Sequence, residues 1–183
     1  MKILYLSGRG GELDQGLGRH LQSRATEFGG VAFNDATLSH SFGDQITAVQ
    51  QLLHDSACDN THLIANSYGC YVLLHALIDQ PLMTATKVLL LSPLLGRTHL
   101  RAQGFSSRPP RLKRLDAALN QELIMKPHYL ALIAGADDPI CEPAELQNIA
   151  GLLQADRWKI LPKQGHMIDH EVMNTVLTEF FAE

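Results

Sequence analysis

An α/β fold with a parallel sheet is what this sequence predicts, on three observations. Six apolar runs of strand length alternate with longer stretches that carry apolar residues at helical spacing. One run, Lys87 to Leu91, is apolar almost throughout, as a strand covered on both faces of a parallel sheet has to be. Hydrophobic residues make up 45% of the 183 residues and charged ones 19%, which suits one ordinary globular domain with a continuous core.

The elements follow in order. Lys2 to Leu6 reads as a short buried strand that runs into the glycine-rich loop Ser7-Gly8-Arg9-Gly10-Gly11. Leu13, Leu17, Leu21, Ala25 and Phe28 share a helical face, and Gly29-Gly30 stands where that helix would end. Val31 to Phe33 is a second strand. Ile46, Val49, Leu52 and Leu53 mark a second amphipathic helix, and Thr61 to Ala65 a third strand. Val72, Leu73, Leu74, Ala76 and Leu77 place a helix next, which stops before Pro81. After the Lys87–Leu91 strand, the stretch from Ser92 to Pro110 breaks the rhythm: Pro93, Gly96, Gly104, Pro109 and Pro110 make it an irregular excursion. A helix from Arg111 to about Leu123, a fifth strand from His128 to Ala134 and a helix from Pro143 to Leu153 come next, the last with proline in its first turn. Arg157 to Leu161 is the sixth strand, and a final helix runs from about Asp169 to Phe181. Such a chain joins its strands by right-handed crossovers, with helices on both faces, and its sites gather at the carboxyl edge of the sheet.

The formal net charge of −4 argues against a nucleic-acid partner or a membrane-surface partner for the protein as a whole. Cys58, Cys70 and Cys141 are odd in number and include no close pair, so the simplest reading is reduced thiols in a cytoplasmic protein. No signal peptide opens the sequence, and no apolar run approaches the span of a bilayer.

The centre of interest is Ala65-Asn66-Ser67-Tyr68-Gly69, set between the third strand and its helix. A serine on a sharp strand-to-helix turn projects its hydroxyl off the sheet edge, and its neighbours two residues away must be small because strand and helix nearly touch. Ala65 stands where such turns carry a first glycine, and Gly69 keeps the second. The helix start also places backbone N–H groups and a positive dipole end beside the serine oxygen.

Leu6-Ser-Gly-Arg-Gly-Gly11, Ala65-Asn-Ser-Tyr-Gly69, Gly135-Ala-Asp-Asp-Pro-Ile140 and Gly165-His166 together resemble the α/β-hydrolase superfamily, specifically its small single-domain serine hydrolases that lack a large lid. The resemblance spans nearly the whole chain. It implies a three-layer sandwich and a six-stranded parallel sheet in the order 2-1-3-4-5-6, without the antiparallel strands that usually open the family's sheet. Residues 1–183 would form one domain, with a short basic cap segment at about 93–124. The order serine, acid, histidine is the family's, and the three stand 71 and 28 residues apart.

By that resemblance Ser67 is the nucleophile, His166 the base that takes and returns its proton, and Asp138 the carboxylate that orients the imidazole, with Asp137 as the other candidate. The oxyanion donors would be the backbone N–H groups of Tyr68 and Arg9. Ser7 stands where the family's first loop has histidine. The implied reaction is cleavage of a small acyl ester or thioester, with no cofactor and no metal. The alternative is a weakly active or inactive member that binds or scaffolds, since folds do not fix functions.

Two other motif readings are weaker. Gly8-x-Gly10-Gly11 is not the G-x-G-x-x-G of a dinucleotide loop, and His166 and His170 at i, i+4 lack the H-E-x-x-H of a zinc helix. Cys70 reads as a small buried residue of its helix. The remaining histidines read as surface or packing residues. Residues 97–114 hold six of the fifteen basic residues and no acid, so Arg108 and Arg111 are candidates to attract an anionic substrate, with a solvated basic face as the bland reading. The oligomeric state is not legible in the sequence.

Overall fold

In the computed structural model, residues 1–56, 60–80, 82, 86–96, 98–100, 105–107 and 109–183 are described, the two segments 98–100 and 105–107 by their backbone alone. Cys58, Arg97, Arg101, Gly104 and Arg108 therefore lie outside the described residues or side chains.

The chain order is β1 (Lys2–Arg9), α1 (Gly16–Arg24), β2 (Glu27–Phe33), α2 (Asp35–Leu38), α3 (Phe42–Asp55), β3 (Thr61–Asn66), α4 (Tyr68–Asp79) and β4 (Lys87–Leu91). It continues with β5 (Thr98–Leu100), β6 (Phe105–Ser107), α5 (Leu112–Asn120), β7 (Tyr129–Gly135), α6 (Pro143–Leu152), β8 (Arg157–Leu161) and α7 (His170–Ala182). Six strands form one sheet in the order β2-β1-β3-β4-β7-β8, and every pair in it is parallel. Counted along that sheet, this is the predicted order 2-1-3-4-5-6.

Alternation along each strand sorts the core. Leu4, Leu6, Leu63, Ala65, Val88, Leu90, Leu130 and Leu132 face α3, α4, α5 and α6. Ile3, Tyr5, Ile64, Leu89, Leu91, Ala131 and Ile133 face α1 and α7. Leu63, Ile64, Leu89 and Leu91 are fully buried, and each such side chain contributes about 1.5–3 kcal/mol by leaving water. Ser41 caps α3 by accepting the Asp44 N–H at 3.2 Å, and Pro143 opens α6, where its missing N–H costs nothing.

Two expectations change. The first helix ends at Arg24, and Gly29-Gly30 lies inside β2 rather than at a helix end. The reason is backbone crowding: a β carbon at Gly30 would come within 2.1 Å of the Tyr5 carbonyl oxygen, so glycine lets β1 and β2 lie close. The excursion from Ser92 to Pro110 contains an antiparallel hairpin, β5 with β6, in which Leu100 pairs with Phe105. Strands of three residues are too short for periodicity to register.

Candidate active site

β3 ends at Asn66, and Ser67 turns the chain into α4 with φ 50° and ψ −113°. A non-glycine residue holds that conformation only where its surroundings fix it. One contact and two tight neighbours do so here. The Ser67 N–H donates to the Leu91 carbonyl on β4 at 2.9 Å. Ala65 is fully buried, which explains a small residue there. A β carbon at Gly69 would sit 2.6 Å from the Leu6 and Ser7 carbonyl oxygens, so the β1 backbone itself demands glycine. Cys70, one residue on, is buried and gives its thiol hydrogen to the Ala65 carbonyl; burial pushes that thiol well above its usual range.

His166 arrives on the loop after β8. Its Nε2 lies 2.9 Å from Ser67 Oγ, and its Nδ1 lies 2.9 and 3.0 Å from the two Asp138 carboxylate oxygens. A carboxylate only accepts, so Nδ1 carries the proton and Nε2 is left to accept from the serine hydroxyl. The Asp138 side chain is fully buried while that of His166 is 21% exposed, so the acid is sealed and the imidazole is reachable. Burial alone would raise the Asp138 pKa. The bond from His166 and the backbone N–H groups of Ile140 and Cys141, at 2.8 and 3.0 Å, outweigh it and hold the carboxyl below its usual value. Asp137, the other candidate, is exposed, and its N–H donates to the Gln164 carbonyl.

The loops that bear Asp138 and His166 are locked together. A β carbon at Gly135 would lie 2.1 Å from the Gln164 carbonyl oxygen and 2.4 Å from that of Gly165. Gln164 then latches the start of α7: its Oε1 accepts the Asp169 N–H at 2.7 Å and its Nε2 donates to Asp169 Oδ2 at 3.0 Å.

The glycine-rich loop after β1 closes the other side. A β carbon at Gly8 would stand 3.4 Å from the Ser67 β carbon, so this loop runs against the serine. Ser7, in the place of the family's histidine, is fully buried and shapes the loop. Its Oγ accepts the Phe33 N–H at 2.8 Å and donates to the carbonyls of Gly8 and Gly11. Tyr68 is the first helical residue, so its N–H has no acceptor within α4. Arg9 ends β1 opposite Phe33, and its guanidinium lies 5.9 Å from the Tyr68 ring centroid.

Arg111 lies beside the start of α3. Its guanidinium lies over Phe42, 5.9 Å from the ring centroid, and its carbonyl faces His75 Nε2 at 3.4 Å. Sequence reading also missed residues beside the triad. Asn66, Ser92 and His20 line a cavity next to His166, and only their place after a strand or on a helix face could have pointed to them.

The architecture has solved counterparts. The ydeN gene product from B. subtilis is 20% identical, with 100% of this chain and 99% of that one covered at a TM-score of 0.65. The mouse alpha/beta hydrolase domain-containing protein 10 is 13% identical, with 97% and 87% covered at 0.67. A monoacylglycerol lipase from Paleococcus ferrophilus is 12% identical, with 99% and 94% covered at 0.64. At these identities the likeness establishes the fold, that of the α/β-hydrolases. Among curated protein sequences none matches this one. Residues 19–175 match the serine hydrolase family, and the chain belongs to it. No described helix is long and apolar enough to cross a membrane.

Proposed function

We propose that this hydrolase cleaves small acyl esters or thioesters by two-step acyl transfer through Ser67. The observation that carries the reading is the hydrogen-bonded line from Asp138 through His166 to a serine in a strained turn at the head of α4. Ser67 Oγ attacks the carbonyl carbon while His166 Nε2 takes its proton, and Asp138 stabilises the imidazolium. The oxyanion is met by the N–H groups of Tyr68 and Arg9. Collapse breaks the bond to the leaving oxygen or sulfur, which takes the proton from His166. Water then attacks the acyl-enzyme, giving its proton to His166, and the released acid leaves Ser67 with its hydrogen restored.

A fluorophosphonate probe tests this. Wild type should be labelled at one site and Ser67→Ala not at all, with ester hydrolysis in the variant down by about 10³-fold or more. Labelling that survives Ser67→Ala would remove Ser67 from the role.

A further inference from the structure

β1 carries one more residue than β2 near the carboxyl edge of the sheet. Leu6 pairs with Val31 and Arg9 with Phe33, three steps on one strand (9 − 6) against two on the other (33 − 31). That is a β-bulge, which bends its strand and leaves part of the ladder without its usual partner. Ser7 and Gly8 make up the extra length.

The Ser7 hydroxyl fills the break. The Phe33 N–H donates to Ser7 Oγ at 2.8 Å, where a regular ladder would offer a carbonyl. Ser7 is fully buried, so the bond is sheltered from water. A hydroxyl has one hydrogen, and Ser7 Oγ directs it between the Gly8 carbonyl at 3.0 Å and the Gly11 carbonyl at 3.1 Å. The Gly8 carbonyl also accepts the Gly11 N–H at 3.0 Å. It is therefore held toward Ser7 Oγ, on the β2 side of the strand.

The peptide from Gly8 to Arg9 is planar, and in a trans peptide the N–H points away from the carbonyl before it. With the Gly8 carbonyl turned toward β2, the Arg9 N–H points to the β3 side, because β1 lies between β2 and β3. The ladder of β1 with β3 ends at Leu6 and Ala65, short of Arg9, and does not use that N–H. Ser67 stands on this side: a β carbon at Gly8 would come 3.4 Å from the Ser67 β carbon and 3.2 Å from Asn66 Nδ2.

We propose that Ser7 is a positioning residue of the reaction, its hydroxyl pinning the bulge that turns the Arg9 N–H toward the oxyanion of a substrate at Ser67. The proposal rests on the acyl-transfer reading above. As Ser67 Oγ bonds to the acyl carbon, the carbonyl π pair moves onto oxygen, and an N–H aimed beforehand meets that charge without reorganisation. Ser7 touches no substrate and acts through the main chain.

The test compares phenyl acetate with its thiono counterpart, in which sulfur replaces the carbonyl oxygen. Leaving group, nucleophile and base are shared, and sulfur is the weaker acceptor, so the pair reads out the N–H groups that meet the oxyanion. Wild type should prefer the oxygen ester. In Ser7→Ala its kcat should fall about 10–100-fold with little change in KM, less than the 10²–10³-fold cost of losing a donor outright. The thiono ester should lose much less, so the oxygen-to-sulfur ratio of kcat/KM should drop about tenfold or more. The pH dependence should not move, since Asp138 and His166 are untouched. Ser7→Cys keeps a group of similar size with a weak S–H donor; it should lower the ratio less, and it carries the test where Ser7→Ala does not fold. Equal losses for the two esters, or a pH profile that moves with the variants, would overturn the proposal, because the hydroxyl would then serve folding or His166. A wild type that takes no fluorophosphonate and cleaves neither ester removes the acyl-transfer reading and this proposal with it. An active wild type whose ratio is unchanged in both variants removes the proposal alone.

Discussion

Ser67 and Ser92 end neighbouring strands in nearly the same way, yet only one of them faces a histidine. Both have positive φ, 50° and 40°, and both give their N–H to the next strand, to Leu91 at 2.9 Å and Ile133 at 2.7 Å. In each, a kink held by the adjacent strand turns the chain off the end of the sheet. Beyond that they diverge. Ser67 is followed by Tyr68 and Gly69, which start a helix and leave an N–H beside the hydroxyl. Ser92 is followed by Pro93, which has no N–H to offer. Ser67 Oγ meets a basic nitrogen, whereas Ser92 Oγ is buried with no partner among the described residues. A strained turn thus fixes where a hydroxyl sits, and the groups opposite it decide whether it finds a partner.

The largest effect that could break this contrast lies at the acid. Asp138→Asn should lower kcat by about 10⁴-fold with circular dichroism unchanged, because the amide leaves the imidazole in the wrong tautomer. Asp137→Asn should change it little, since that side chain is exposed and its structural bond is made by the backbone. Steady-state kinetics on both variants decide it; the reverse ranking would move the acid to Asp137.

A smaller effect contrasts the two ends of β3. Ser67 follows one end, and His62 lies near the other, buried and edge-on to Phe180 and Phe181 at 5.6 and 5.3 Å. Burial first, and then the charge of Lys87, hold its pKa below the ordinary 6.5. Well above that value His62 is neutral in both the folded and the unfolded chain and does not affect stability. As pH falls below it the unfolded chain binds a proton that the folded one refuses, so stability drops until the lower, folded pKa is reached. The slope is at most about 1.4 kcal/mol per pH unit for the one group. Urea midpoints should therefore fall between pH 7.5 and 5.5, and less steeply in His62→Phe. Identical slopes would shift the titration to His75, whose pKa burial also lowers.

The smallest effect sharpens the likeness of the serines. Ser67→Gly and Ser92→Gly should each stabilise the fold by about 1 kcal/mol, because glycine relieves positive φ. Urea unfolding measures it. A gain at Ser67 alone would mean that the second kink stores no strain.

The sheet and the Ser67–Asp138–His166 line were legible because each depends on residue types in a fixed relation to a strand: small-x-Ser-x-Gly before a helix, Gly-x-x-Asp after β7, Gly-His after β8. Gly29-Gly30 misled because a glycine pair that ends a helix and one that admits a neighbouring backbone look alike in a sequence. Ser92 was passed over because strand-end serines are common and an unpartnered oxygen is a property of space. His20 reads as one more polar position on an amphipathic helix until α7 is packed beside it, its ring 5.4 Å from that of His170.

The contact of Gly135 with the Gln164 and Gly165 carbonyls sets a gauge. Main chain rests on main chain there, so the gap between Asp138 and His166 is held by atoms that every amino acid shares. Side chains nearby can drift, and the spacing of Asp138 and His166 keeps its tolerance. The converse is a constraint on redesign. Nudging these loops will not tune the Asp138 carboxyl, because any larger residue at 135 wedges them apart; its pKa answers to the groups that bond to it.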